Sequence, residues 1–458
     1  FTIDTDIYGK LYDESLKTFY IQRCGMELMS EFAGDFAHPT CHTDEAKYYS
    51  DVNKSGTREV SGGWHDAGDY GRYIVNGAYS VAVMLTGYEH FPKGFQADNI
   101  GITESGNGVP DLLDEMRYEI EWMLKMQDDD GGLFHKVTEP AFQSLDLKPH
   151  EDEKTQVIMI KTSAATADFA IATAMARRIY QKYDQAFADQ CKQAALKAWE
   201  YLEKHPDDVP KGGFRNPDDI RTGTYGDPDD SDERFWAAVE LYRTFQNKKF
   251  DKYIKQNIDT VTLFPEEIAW RDVAPFGIIN YLKFVNGNRI FKQKLAKGLK
   301  TFCDDMLSRY ETNGYGILLN PGDYRWGSLQ IDLNFGFVLL AGGYYFDNDD
   351  YKQAAKHQIH YMLGANGLNH SFVTGFGEKS PEDVHNRICS LTDDWSIYPG
   401  FLVGGPNENL QDQALQKAFD DTTPPALCYV DNRGSYASNE TCINWSAILV
   451  VYAGYLNE

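Results

Sequence analysis

The chain has 458 residues, of which 42% are hydrophobic and 14% aromatic, so it has enough apolar side chains for one large core or for two or three smaller ones. Its formal net charge is −25, and such a field repels nucleic acid phosphates and anionic membrane surfaces, which favours a neutral ligand. No stretch of about 18 apolar residues is present, so no membrane-spanning helix is expected.

Apolar residues recur at helical spacing in a series of segments. The first is 109–127, where Pro110 suits the first turn of a helix and Asp111 its positive end. Further helices are predicted at 164–183, 187–204, 232–245, 273–285, 291–310, 334–346, 351–363 and 443–456. Strand signals are few and no repeat of about 20–50 residues is visible, so we predict an all-α closed array of helices. The long loops 215–231 and 366–409 are expected to carry function where they meet.

Two short segments contain carboxylates that suit catalysis. In SGGWHDAGDYGRY (61–73), Asp66 and Asp69 are separated only by Ala67 and Gly68, so a helical turn would place both on one side, where they can hold a water molecule. Alternatively, both cap turns between glycine pairs. Near the other end, Glu440 precedes the last predicted helix, where a glutamate is also stabilised by the helix dipole.

Four segments in the same order resemble the signature blocks of family 9 glycoside hydrolases, most of which are cellulases. They are the Asp66 and Asp69 segment, SFVTGFGEKSPEDVHNR (371–387), LVGGPN (402–407) and the Glu440 segment. Shorter matches are PDLLDE, KMQDDDGGLFHK, YGDPDDSDERFWAA and YRWGSLQ. The resemblance implies that residues 1–458 form a single catalytic domain, an all-α (α/α)6 barrel of twelve helices whose long loops form a groove at one end.

The family pattern implies a catalytic role for each of three carboxyls. Asp69 is the base, Asp66 helps to hold the attacking water, and Glu440 is the acid. Hydrolysis with inversion needs one protonated carboxyl for the glycosidic oxygen and one ionised carboxyl about 6.5–9.5 Å away to activate water. We therefore expect a raised pKa for Glu440, and an Asp69 that hydrogen bonds keep ionised.

The resemblance also implies the residues that bind sugar. His385 and Arg387 are hydrogen-bond donors on one loop and match the pair that binds hydroxyls beside the cleavage point. A surface histidine next to a salt-bridged arginine is the alternative. Positions that match further groove residues, with the indoles as expected stacking platforms, are His135, Tyr225, Trp270, Trp326 and Tyr436. Each of these five residues can instead belong to the core.

Two thiols and two imidazoles near the amino terminus suit a tetrahedral structural zinc: Cys24, Cys41, His42 and His65. They resemble the ligands of the zinc-bearing branch of family 9, in which the metal fixes the loop beside the base. That branch usually carries an immunoglobulin-like domain before the barrel, and residues 1–25 resemble the segment that follows it. The total of seven cysteines is odd, which disfavours a complete disulfide framework. Inert buried cysteines are the alternative to zinc.

A calcium site is predicted around YGDPDDSDE (225–233), where five carboxylates lie within nine residues. Asp232 and Glu233 are the first candidates, joined by Asp229 and Asp272. A solvated acidic loop is the alternative.

Together these features predict an enzyme that hydrolyses β-1,4-glucosidic bonds with inversion. The expected substrates are cellulose, cello-oligosaccharides or mixed-linkage β-glucan, and the expected activity is that of a secreted or extracellular endoglucanase, with other modules of a larger secreted enzyme as further partners. The alternatives are an exo-acting cellodextrinase or an exo-β-glucosaminidase, whose cationic substrate would suit the negative charge. A non-catalytic carbohydrate-binding barrel is disfavoured because Asp66, Asp69 and Glu440 are all present.

Overall fold

The structure, a computed structural model, describes residues 8–457, and this range contains fifteen α-helices. In chain order they are α1 (Gly9–Ile21), α2 (Ser30–Ala33), α3 (Ile74–His90), α4 (Asp111–Met126), α5 (Ser163–Tyr180), α6 (Gln185–Lys204), α7 (Ser231–Phe245), α8 (Lys248–Asn257), α9 (Ala274–Phe284), α10 (Arg289–Thr312), α11 (Ser328–Phe346), α12 (Asp349–Met362), α13 (Gln413–Ala418), α14 (Tyr436–Asn439) and α15 (Ile443–Leu456).

The twelve long helices between residues 8 and 457 form two concentric layers. The inner ring consists of α3, α5, α7, α9, α11 and α15, each of which contacts the next, and α15 closes the ring against α3. The outer layer consists of α1, α4, α6, α8, α10 and α12, each packed on an inner helix. This arrangement is the predicted (α/α)6 barrel, so the predicted fold class is confirmed.

The two layers differ in sequence because they differ in environment. The inner helix α15 is buried from Ile443 to Tyr455, so it is apolar on all sides. The outer helix α6 buries Trp199 on one face and exposes Glu200 beside it. Close approach within the ring requires small residues: a Cβ at Gly87 of α3 would lie 2.8 Å from Val451 of α15.

All nine helices predicted from apolar periodicity are present, with ends shifted by up to six residues, and three long helices were not predicted: α1, α3 and α8. Helix α3 is buried along nearly its whole length, so it has no polar face and no period of 3.6. Helix α8 has ten residues, of which only Phe250 and Ile254 are buried.

Within the described residues, seven short strands lie in the connections of the barrel: β1 (Ala46–Tyr48), β2 (Thr57–Arg58), β3 (Arg72–Tyr73), β4 (Leu133–Phe134), β5 (Lys136–Thr138), β6 (Val157–Ile158) and β7 (Lys161–Thr162). Five form a sheet in the order β2-β1-β6-β5-β3, and β4 pairs with β7. β1 and β6 are parallel, and the other pairs are antiparallel. Since β3 follows the Asp66 and Asp69 loop and pairs with β5, Tyr73 opposite Lys136, this sheet fixes one end of that loop.

Two further expectations from the sequence concern cysteines and membranes. All seven cysteines are free and buried, in agreement with the argument against a disulfide framework. Within residues 8–457, no helix has the length and apolar character needed to cross a membrane.

Candidate active site

Loops that lie far apart in the sequence line one cleft of about 560 Å³. Asp66, Asp69 and Glu440 all face this cleft, so the structure brings the three predicted catalytic carboxyls together. The predicted groove residues that also line it are Tyr225, Trp270 and Trp326.

The loop that carries Asp66 and Asp69 forms a hydrogen bond between its own two ends and packs against the segment that contains Glu440. The Asp66 N–H donates to the Gly71 carbonyl at 3.0 Å. A Cβ at Gly68 would lie 2.4 Å from the His385 carbonyl oxygen, so only glycine fits there. This close approach lets the Gly68 N–H donate to Oε1 of Glu440 at 3.2 Å, and the two segments that carry the predicted catalytic carboxyls are therefore joined directly.

Asp69 lies in a setting that stabilises a negative charge. Its Oδ2 accepts hydrogen bonds from the Gly71 N–H at 3.0 Å and from the Tyr73 hydroxyl at 3.1 Å. Burial and the charge of Asp69 hold the pKa of Tyr73 well above its usual value, so the hydroxyl stays protonated and keeps donating. These donors hold the Asp69 side chain in one orientation.

Asp66 differs from Asp69 although it is only three residues away. Tyr225 donates its hydroxyl to Oδ2 at 2.6 Å, and the Asn76 amide donates to Oδ1 at 2.5 Å. Burial, and then the charge of Asp69, raise the pKa of Asp66 to about 8. Asp66 is therefore largely protonated at neutral pH and poorly suited to remove a proton from water.

Glu440 has the environment of a proton donor. Its pKa is raised well above the usual value, first by burial and then by the charge of Asp69, while Arg387 and the Gly68 N–H act in the opposite direction. The carboxyl is thus protonated at a pH where an ordinary glutamate is ionised. A carboxyl with a raised pKa and a second carboxyl that accepts two hydrogen bonds on one oxygen thus face the same cleft, and acid and base catalysis requires two carboxyls in unlike environments.

Two aromatic pairs stand at the cleft. The Tyr225 ring lies 5.1 Å from Trp270, with its hydroxyl on Asp66. Trp326, which is 41% exposed, lies 5.3 Å from Tyr436, which is 38% exposed. These exposed ring faces are available to a ligand.

The predicted groove residue His135 lies beneath the cleft surface. It is buried, and its Nδ1 and Nε2 are hydrogen-bonded to the Thr162 hydroxyl at 3.0 Å and to the Thr224 carbonyl at 2.8 Å. With both ring nitrogens engaged, His135 supports the backbone next to Tyr225.

The side chains of the predicted sugar-binding residues, His385 and Arg387, also form most of their hydrogen bonds within the protein. Arg387 is buried and donates to the carbonyl oxygens of Gln143 and Gly68. The Nδ1 of His385 is bonded to the Arg433 carbonyl at 2.6 Å. Arg387 therefore clamps the Gly68 loop to the segment of Gln143, and the Nε2 of His385 is the atom that this bond leaves for a ligand.

Three residues that line the cleft or hold one of its carboxyls were not predicted from the sequence: Tyr73, Asn76 and Phe142. Asn76 had a signal, since it is the polar residue in the apolar run YIVNGAY at the start of α3. Phe142 had none, because a single aromatic in a polar loop forms no pattern.

The four predicted zinc ligands converge. One potential ligand atom each of Cys24, Cys41, His42 and His65 lies within 4.8 Å of all the others. Nδ1 of His42 is buried without a hydrogen-bond partner among the described residues while its Nε2 faces Asp152, and Nε2 of His65 lies 4.0 Å from the Sγ of Cys41. The residues therefore suit one tetrahedral metal, and His65 precedes Asp66 directly.

The four predicted calcium ligands do not converge in the same way. Asp232 and Glu233 are buried, whereas Asp229 is exposed and Asp272 is half-buried. None of the four belongs to a set of metal-ligating atoms within 4.8 Å of one another in residues 8–457.

Glu233 has instead two other acidic neighbours that the sequence analysis did not name, Asp168 and Asp227. No hydrogen-bond donor in the described part of the chain reaches either oxygen of Glu233 or of Asp168. Burial and the charges of Asp232, Asp227 and Asp168 raise the pKa of Glu233 well above its usual value. Such a group is stable only when it is protonated or when it faces a cation.

The profile of Glycosyl hydrolase family 9 matches residues 8–453, which include the whole cleft. The chain belongs to glycosyl hydrolase family 9. A xyloglucan-specific endo-β-1,4-glucanase of Bacteroides ovatus is 35% identical over 477 residues, covering 100% of this chain and 80% of that protein.

Solved structures of family 9 enzymes have the same fold. A single mutant of a thermostable endoglucanase from Alicyclobacillus acidocaldarius is 33% identical, with a TM-score of 0.90 over 98% of this chain and 84% of that one. A zinc-binding triple mutant of a family 9 endoglucanase is 30% identical, with a TM-score of 0.93 over 100% of this chain and 86% of that one. This family 9 chain is therefore a glycoside hydrolase, and its cleft is the candidate substrate-binding site.

Proposed function

We propose that the enzyme hydrolyses β-1,4-glucosidic bonds within cellulose, cello-oligosaccharides or mixed-linkage β-glucan, with inversion at the anomeric carbon. The observation that carries the proposal is the unlike pair in one cleft, Glu440 with a raised pKa and Asp69 with two donors on one oxygen. The family relatives named above are endoglucanases, and one of them is specific for xyloglucan, which supports a β-1,4-glucan substrate and action within the chain.

Each carboxyl has one task in this mechanism. Glu440 gives its proton to the glycosidic oxygen as the bond from that oxygen to the anomeric carbon breaks. Asp69 removes a proton from a water molecule whose oxygen forms the new bond to the same carbon. Asp66, fixed by Tyr225 and Asn76, helps to hold that water. Exchange with solvent then restores the proton on Glu440 and removes it from Asp69.

Action within the chain is tested by following viscosity and reducing ends together on carboxymethylcellulose and barley β-glucan. We expect viscosity to collapse while few reducing ends have formed, because each internal cut shortens a polymer strongly. A slow fall in viscosity with steady release of small sugars would instead identify an exo-acting cellodextrinase. Cleavage of chitosan in preference to both glucans would identify an exo-β-glucosaminidase.

We further propose that the Cys24, Cys41, His42 and His65 group binds one structural zinc ion. The metal would hold the loop that begins at His65 and carries Asp69 and would take no part in the reaction. The Oδ2 of Asp152 lies 3.5 Å from the Nε2 of His42, so it can orient that imidazole.

We also propose a calcium ion beside Asp232 and Glu233. Its other ligands then include Asp168 or Asp227 in addition to Asp229 or Asp272, because both oxygens of Asp168 and the Oδ2 of Asp227 are buried and meet no donor among the described residues. A calcium ion would neutralise this buried carboxyl group.

Metal analysis of matched variants separates the two ions. We expect Cys24→Ser to lose about one equivalent of zinc and to keep calcium. We expect Glu233→Gln to lose calcium and to keep zinc. Each loss should lower Tm by several degrees, since a metal bound only to the folded state stabilises it. Cys191→Ser, which changes a buried cysteine of α6 remote from both groups, controls for thiol removal and should retain both ions. Wild-type protein that binds no zinc after dialysis against it would refute the first site.

We propose a secreted or extracellular location, because polymeric β-glucans are met outside cells. The catalytic domain proposed for residues 1–458 would there act beside other modules of a larger enzyme, and residues 1–7 lie outside the described part. Secretion of the full-length natural protein, measured by fractionation of a culture, tests the location.

A further inference from the structure

Phe142 is an exposed aromatic residue inside the catalytic cleft. It is 47% exposed and lines the same cavity as Asp69 and Glu440. Leaving such a ring in water is unfavourable by roughly 25 cal/mol for each Å² of apolar surface, so a fixed exposed ring in a cleft is typical of a binding surface.

The segment that carries Phe142 is firmly held. The carbonyl of the neighbouring Gln143 accepts two hydrogen bonds from Arg387, one of 2.7 Å, and the Gln143 amide donates to Glu139 at 2.6 Å and to Asp152 at 2.8 Å. Further along, the Tyr70 hydroxyl donates to the Leu147 carbonyl at 2.6 Å. Phe142 therefore lies in a loop whose backbone is held by hydrogen bonds on its next residue, Gln143.

The bracing connects Phe142 to the catalytic segments. Arg387, which holds Gln143, also donates to the Gly68 carbonyl, and the Gly68 N–H donates to Glu440. The Arg387 guanidinium lies 5.7 Å from the centre of the Phe142 ring. The position of the ring is thus set relative to the acid.

Phe142 stands apart from the other aromatic residues of the cleft. Tyr225 contacts Trp270, and Trp326 contacts Tyr436, but among the described residues no aromatic ring contacts Phe142. The two pairs and Phe142 are therefore three separate aromatic surfaces at the cleft.

We propose that Phe142 forms a separate sugar-binding subsite, in which its ring stacks on one β-1,4-linked glucosyl unit of the substrate. The C–H face of a pyranose ring is apolar and flat enough to cover the phenyl face, while its equatorial hydroxyls stay in water. The neutral ring suits the uncharged substrate of the proposed function, on which this inference rests.

The cleavage pattern of cellopentaose labelled at its reducing end tests the subsite. Removing one subsite changes the registers in which an oligosaccharide binds, whereas a merely structural change slows every cleavage alike. For Phe142→Ala we expect the ratio of the two main cleavages to change by roughly threefold to tenfold, the range for loss of one aromatic contact. Phe142→Tyr keeps the ring and should keep the wild-type ratio.

Two controls make the result decisive. Tyr345→Ala removes an aromatic that is 41% exposed and lies outside the cleft, so it should leave the ratio unchanged. The Tm of Phe142→Ala is measured beside that of the wild type, so that a changed cleavage ratio without a fall in Tm is assigned to the subsite. An unchanged cleavage ratio in Phe142→Ala would overturn the subsite even if the wild type is fully active.

Failure of the proposed function has a different signature. If the wild type cleaves no cello-oligosaccharide, the β-glucanase assignment is wrong. The subsite is then tested by calorimetric titration of cellopentaose into wild type and Phe142→Ala, where equal affinity or no binding by the wild type would contradict it.

Discussion

Replacing Glu440 by glutamine is expected to lower kcat on β-glucan by roughly 100- to 10,000-fold while the fold is retained. Glutamine has the same shape and can still accept the Gly68 N–H, but it has no proton to give to the glycosidic oxygen. An aryl β-cellobioside with an acidic phenol as leaving group needs little protonation, so the variant should lose much less activity on that substrate. Parallel kcat measurements on both substrates give the comparison.

The pH profile provides a second measurement on the same variant. Since burial and Asp69 raise the pKa of Glu440, the wild type should stay active above the usual pH range of a glutamic acid and lose activity as pH rises through that raised value. This alkaline limb should disappear in Glu440→Gln acting on the aryl substrate. Glu382→Gln, an exposed change on the loop before His385, is the matched control and should behave as the wild type. Equal losses on both substrates would exclude Glu440 as the acid.

The helices illustrate what could be predicted from sequence and what could not. Outer helices such as α10 and α12 have one solvent-exposed face and one buried face, so the spacing of their apolar residues predicted them. Helix α3 is buried on every side, and a helix of this kind shows no helical periodicity of apolar residues. The closure of six inner helices into a ring depends on contacts between distant residues, and only the family resemblance predicted it.

In the active site, too, the types of the residues could be predicted from the sequence, whereas the positions of their side chains could not. Asp66, Asp69 and Glu440 were recognisable because their motifs are dense, and the structure brings them to one cleft. His135 and Arg387 carry the expected donors, but those donors bind the protein. Sequence identifies a guanidinium or an imidazole, whereas packing decides which partner it meets.

The calcium prediction had a related weakness. The acidic run 225–233 contains Asp232 and Glu233, which are buried, but the predicted ligand set also included Asp229, which is exposed. Asp168 is brought beside Glu233 by the packing of α5 on α7, and no local pattern reports a contact between two helices.

Replacing Asp69 by asparagine is expected to lower kcat by a similar factor, roughly 100- to 10,000-fold, on β-glucan and on the aryl cellobioside alike. The base acts on water, so an easier leaving group does not compensate for its loss. Added azide needs no deprotonation and should restore part of the activity on the aryl substrate, with formation of a glycosyl azide. Rates measured with and without azide give the result.

Asp66 and a surface aspartate serve as comparisons. Asp66→Asn should be slowed without rescue by azide, because Asp66 is largely protonated and holds the water without taking its proton. Asp421→Asn changes an exposed aspartate and should leave kcat unaltered. Rescue of Asp66→Asn but not of Asp69→Asn would exchange the two roles.

The configuration of the first product shows whether Asp69 delivers water while Glu440 protonates the leaving oxygen. Proton NMR during the first minutes of cellopentaose hydrolysis by the wild type distinguishes the new α and β reducing ends before they interconvert. We expect the α anomer to form first, since one displacement at a β linkage inverts the configuration of the anomeric carbon. Initial formation of the β anomer would require a covalent intermediate and would contradict the assignment of Asp69 as a base.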